Sequence, residues 1–137
     1  MRRWLCNPGS DELQSSLSAL LLRLAGGLLM VILHGWGKYG KLGADPVKFP
    51  DPLGVSAHVS LSLTVFAEVA CAILVVVGLC TRWAGFVLFF TMCVAAFVIH
   101  GDDPLAKQEK ALLFLAIYGS ITLVGPGRFS LDHLIYR

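Results

Sequence analysis

Five side chains able to exchange protons or to hold a polar ligand, His34, Lys38, Glu68, His100 and Glu109, stand out in a chain that is otherwise mostly apolar. Imidazole and carboxylate groups in a half-buried setting suit proton transfer, because modest environmental shifts bring their pKa values near working pH. A charge held inside a membrane costs on the order of 2.5–3.5 kcal/mol near a helix centre, so each needs a reason. Glu68 is the single charge in the segment Leu61–Cys80. It is expected to be protonated, paired or facing a wet cavity, with a structural hydrogen bond to a neighbouring helix as the plain alternative. Glu109 has its own structural alternative, since a carboxylate in a first helical turn is favoured by the macrodipole.

Arg23, Gly27, His34 and Lys38 follow one another at spacings of four, seven and four residues, which places them on one helical stripe. That stripe is expected to face the interior. Arg23 and Lys38 read equally as side chains that snorkel to opposite membrane surfaces, whereas imidazole is too short to do so. A second grouping, Arg23, Arg82, Arg128 and Asp132, reads as headgroup anchoring plus an Arg–Asp pair that pins the tail. A phosphate or partner-protein site is the alternative. Cys6, Cys71, Cys80 and Cys93 form no CxxC pair and no zinc-type Cys/His grouping, so they read as apolar fillers. Cys80 and Cys93, assigned to neighbouring helices, leave a redox pair open.

The elements that must position these residues follow from composition. Apolar residues make up 56% of the 137 and charged residues 15%, with a mean hydropathy of +0.74. Soluble domains carry about 25% charge, so most of this surface is expected to face lipid. Four segments read as membrane-spanning helices: Leu17–Trp36, Leu61–Cys80, Trp83–Ile99, and Ala111–Val124 extended back over Lys107–Lys110. The fold class is therefore all-α, an integral membrane four-helix bundle of antiparallel up-down topology. Barrel strands alternate polar and apolar residues, and these segments do not. In this arrangement His34, Lys38, Glu68, His100 and Glu109, drawn from four helices, converge at one depth near the outer face.

Gly37–Ser60 is a long Gly- and Pro-rich connection expected to fold over the bundle end. Thr81–Arg82 reads as a tight turn between antiparallel neighbours, His100–Pro104 as another, and Ser130 as the cap of a short interfacial helix. Residues 1–16 read as a polar cytoplasmic segment without the apolar core of a secretory signal, followed by the membrane domain at 17–137. All six arginines fall on the side of the termini and all five lysines on the other, where Asp45, Asp51, Asp102, Asp103 and Glu109 offset them. Both termini are accordingly placed in the cytoplasm. The net charge of +2 comes without a basic cluster, which argues against a nucleic-acid partner.

The order of Arg23, His34-Gly35-Trp36-Gly37-Lys38, Asp51-Pro52-Leu53-Gly54, Phe66-Ala67-Glu68, Gly78-Leu79-Cys80-Thr81-Arg82, Met92, His100, Glu109 and Gly125-Pro126-Gly127-Arg128-Phe129-Ser130-Leu131-Asp132 resembles the DoxX family of small four-helix bacterial membrane proteins. The resemblance implies a multi-pass protein of the bacterial cytoplasmic membrane, associated in some members with oxidoreductase complexes. Its recurrent polar sites correspond to Arg23, His34, Lys38, Glu68, Arg82, His100, Glu109, Arg128 and Asp132. The cysteines match no redox motif of that family.

Two functions follow. The first is an oxidoreductase-associated subunit with a pocket for a quinone or other lipophilic ligand, lined by His34, Lys38, Glu68, His100 and Glu109. No haem, flavin, iron–sulfur or zinc motif is seen in the sequence, so a protein partner is expected to supply electrons. The second is a non-enzymatic scaffold or chaperone that docks and stabilises other membrane proteins, or recruits a soluble partner through Gly37–Ser60 and the GPGRFSLD tail; a protein partner or a homo-oligomer is expected in either case. Transport through the polar core ranks last, because four short helices leave little room. The convergence of His and Glu residues favours the first.

Overall fold

The computed structural model describes residues 13–136, and within them all regular structure is helical. Helix α1 runs over Leu13–Tyr39, α2 over Ala57–Val77 and α3 over Thr81–Ile99, and each is long and apolar enough to cross a membrane. Helix α4, Leu105–Val124, has 20 residues and so is about 30 Å long, but it carries Lys107, Glu109 and Lys110 in its opening turns. A short α5 covers Leu131–Tyr136. Cys6, Arg2, Arg3, most of the 1–16 segment and Arg137 lie outside the described residues. Each long helix begins earlier in sequence than its apolar run, with a first turn that includes polar residues.

Local chemistry explains the boundaries. Ser56 caps α2, its Oγ accepting from the Val59 N–H at 3.4 Å, and Pro104 sets a fixed φ of −56° immediately before α4. Helix α2 ends at Gly78, whose φ of +76° lets the N–H groups of Gly78 and Leu79 both return to Leu74 O, at 2.9 and 3.0 Å. The chain reversal therefore lies at Gly78–Leu79–Cys80, and Thr81 and Arg82, expected in the turn, instead open α3. Hydropathy could not reveal this, since the apolar run continues through the turn. Ser130 caps α5 as expected, its Oγ accepting from the His133 N–H at 3.1 Å.

The four long helices enclose a core of Met30, Cys71, Val75, Leu88, Tyr118 and Ile121 with small residues between them. Gly27 and Gly35 let α1 press on α2. A Cβ at Gly35 would stand 2.7 Å from the Glu68 carbonyl oxygen, and one at Gly27 3.0 Å from that of Ala72, so the contact needs glycine. The outward surface is apolar: Leu21, Leu33, Phe97 and Leu123 are each more than 60% exposed. A contiguous apolar exterior of this kind is stable against lipid rather than water. The chain is thus a membrane protein.

One feature had no sequence signature. Helices α1, α2 and α3 each contain one π-helical turn, at Val31–Gly35, Phe66–Cys71 and Ala95–Ile99. Such turns are rare and are found frequently at functional sites. Here they carry His34, Glu68 and Ala95.

Candidate functional site

The three π-helical turns meet around a cavity of about 180 Å³ whose walls include His34, Lys38, Glu68, Met92, His100 and Phe114. Four of the five expected residues are therefore brought together. Glu109 is not among them. It is exposed on α4, because the face of that helix turned to the cavity carries Lys107, Lys110, Ala111 and Phe114, residues three, four and seven apart, and Glu109 falls off that stripe.

Lys38 Nζ lies 2.6 and 2.7 Å from the two oxygens of Glu68. The Glu68 side chain is 4% exposed and that of Lys38 27%, so the carboxylate is enclosed while the ammonium reaches open space. An ammonium has three N–H donors, and the two contacts leave one for a ligand. His34 makes no side-chain hydrogen bond among the described residues. Its ring packs edge-on to Phe114 with centroids 5.6 Å apart, and Phe114 in turn stacks on Tyr118 at 5.9 Å. Tyr118 is buried and donates to the Gly26 carbonyl at 3.0 Å, which locks this aromatic row to α1.

At the mouth, His100 Nδ1 is 2.8 Å from Asp103 Oδ2, and Lys107 Nζ is 3.4 Å from Oδ1. The hydrogen bond from His100 holds the Asp103 carboxyl below its ordinary value, aided by Lys107. Asp103 was not anticipated as a site residue. Its position three residues after His100 and four before Lys107 was the available signal.

On the far side of the Lys38–Glu68 pair lies a larger groove of about 320 Å³, lined by Phe49, Leu53, Thr64, Phe66, Phe90 and Val94 among others, with Lys38, Glu68 and Ala95 common to both cavities. The long connection supplies Phe49, Pro52 and Leu53. It is held by Asp51, which accepts from the N–H groups of Val55 and Ser56 at 3.0 and 2.8 Å and from Ser60 Oγ at 2.8 Å. The Ser60 hydroxyl, followed by these amides, keeps the Asp51 carboxyl below its ordinary value.

The second charged grouping works differently from expectation. Arg23 is 1% exposed and donates four hydrogen bonds of 2.8 Å, to the carbonyls of Val75, Val76, Pro126 and Phe129. It neither snorkels nor turns into the cavity; it closes the carboxyl end of α2 and fastens the tail to it. Arg82 does the same for α4, donating to Thr122, Leu123 and Val124. Asp132 accepts from the N–H groups of Cys80 and Thr81, at 2.8 and 2.9 Å, and so caps α3. The tail is thus pinned by side chains on backbone groups. Arg128 is exposed, and its N–H donates to Ser16 Oγ at 3.2 Å. Gly125 and Gly127, at φ of +92° and +74°, fit where a Cβ would stand 3.0 Å from Arg82 and from Ser16 respectively.

Cys71 and Cys93 are free. Cys80 is the cap residue of α3 and Cys93 lies on that same helix, which puts them about 20 Å apart. That distance corrects their assignment to neighbouring helices and excludes a disulfide between them. Among the described residues no cluster of three His, Cys, Asp or Glu side chains forms a metal site.

A helical membrane protein with a polar cavity set against an apolar groove is the class that this geometry defines. The chain belongs to the DoxX family, whose defining pattern matches residues 18–101. That match takes in α1 to α3 and His100 but stops short of α4 and the tail. A relative described as an uncharacterized protein, from Haemophilus influenzae, is 29% identical over 115 residues, covering 79% of this chain and 84% of its own. No solved structure matches the chain.

Proposed function

We propose that this protein is an oxidoreductase-associated subunit of the bacterial cytoplasmic membrane that binds a quinone-type lipophilic ligand in the groove beside Lys38. In this reading α1 to α4 cross the membrane as an antiparallel four-helix bundle, with both termini in the cytoplasm and the two cavities toward the outer face. The observation that carries it is the Lys38–Glu68 pair, which forms a common wall of a polar cavity and an apolar groove. Ligand sites of this kind are mostly apolar with a few convergent polar groups.

The residues fit such a ligand. Phe49, Leu53, Phe66 and Phe90 offer an apolar bed, and the exposed rings of Phe66, Phe86 and Phe90 line a route from the lipid. A quinone supplies paired electron and proton chemistry when bound. The remaining N–H of Lys38 is available to a carbonyl oxygen, Glu68 accepts and holds a proton next to it, and His34 and His100 connect that position to water through the polar cavity. Glu109 has no part in this arrangement.

The test is mass spectrometry of lipophilic molecules extracted from gently purified protein, with Val94→Trp as the variant that fills the groove and leaves the ion pair in place. A quinone recovered near one per chain and lost in Val94→Trp is the expected result. Bulk lipid alone in both samples would refute the reading. It would move the weight to a scaffold that docks a protein partner through the loop carrying Phe49 and the exposed Leu53.

A further inference from the structure

The polar cavity has an imbalance that a neutral ligand in the groove does not explain. Three lysine ammonium groups, Lys38, Lys107 and Lys110, line it together with His34 and His100, against a single lining carboxylate, Glu68. That carboxylate is already engaged by Lys38 through both oxygens. Asp103, outside the lining, partly balances His100 and Lys107 at the mouth, whereas Asp102 and Glu109 are exposed away from it. Lys110 and His34 make no side-chain hydrogen bond or ion pair among the described residues. Two donors thus face a partly enclosed volume with no acceptor of the protein's own.

We propose that this cavity binds an oxyanion, a carboxylate- or phosphate-sized group held by Lys110, Lys107 and His34, separately from whatever occupies the groove. Lys107 and Lys110 are themselves exposed, but ammonium groups at the border of a partly enclosed cavity attract such a group, because charge-assisted hydrogen bonds are short and roughly twice as strong as neutral ones. A cavity of about 180 Å³ exceeds more than tenfold the volume that one water needs, so the anion enters with part of its hydration. A free oxyanion and the headgroup of an anionic lipid share this chemistry.

The experiment uses the full chain in nanodiscs of phosphatidylcholine, followed by thermal unfolding as inorganic phosphate replaces chloride at constant ionic strength. A second arm replaces the lipid with phosphatidylglycerol. A saturable rise in Tm with phosphate assigns the site to a free anion; a rise with phosphatidylglycerol that phosphate does not add to assigns it to a headgroup. In either arm Lys110→Met weakens the response roughly tenfold or more, as loss of a charged hydrogen bond does, and Lys110→Arg restores it. Lys107→Met, at a well-exposed side chain, gives a second and smaller loss and guards against a folding defect at position 110. No saturable response in either arm, or an equal response in Lys110→Met, overturns the proposal. Because no arm contains quinone, failure here leaves the groove reading standing, and the reverse also holds.

Discussion

Removing one member of the Lys38–Glu68 pair should have effects of unequal size, and the inequality follows from burial. Lys38→Met leaves the Glu68 carboxylate, 4% exposed, enclosed without its partner. Breaking a buried pair in this way costs about 3–5 kcal/mol. Glu68→Gln leaves an ammonium whose side chain is 27% exposed and can turn toward the cavity water, so its cost falls to about 1–2 kcal/mol. Replacing both, as Lys38→Met with Glu68→Leu, removes the charges and their desolvation together, and should return to within roughly 1 kcal/mol of the parent protein. The assay is reversible unfolding in mixed micelles followed by tryptophan fluorescence, run as a double-mutant cycle. A coupling energy above about 2 kcal/mol is expected for groups in such contact. Additive single effects, or a larger loss for Glu68→Gln than for Lys38→Met, would refute the view that the pair is a buried wall with one open side.

Arg23→Lys should destabilise by about 3 kcal/mol or more, since one ammonium cannot serve four carbonyls on two segments; loss of the tail's protection from proteolysis at Phe129 would report it. Gly35→Ala should cost about 1–3 kcal/mol through overpacking and, by moving α1 off Glu68, reduce ligand retention in the extraction assay more than Gly37→Ala, where a Cβ meets nothing within 4 Å. Asp132→Ala should cost about 1–2 kcal/mol as a lost helix cap, readable in the same unfolding assay. Acid should loosen the cavity mouth. The folded Asp103 carboxyl titrates below its ordinary value of 3.8, so its stabilising contribution is present above roughly pH 4 and disappears as the pH falls through the folded value; His100 imidazole resonances followed by NMR should track that loss in the parent protein and not in Asp103→Asn.

The sequence by itself determined that the chain is helical and built for lipid, because hydropathy is a local property summed along about 20 residues. It also marked His34, Lys38, Glu68 and His100, since an ionisable group in an apolar run is conspicuous wherever it points. What it left undetermined is direction. Glu109 and Lys110 are adjacent, equally polar and both exposed, and only the packed phase of α4 decides that Lys110 borders the cavity while Glu109 does not. Arg23 and Lys38 occupy one stripe by spacing, yet Arg23 ends on four carbonyls from α2 and the tail, because helix ends in lipid must be satisfied from within the protein and those carbonyls are remote in sequence. The π-helical turns belong to the tertiary structure as well: they meet around the cavity, and an extra residue in a helical turn leaves no mark in composition.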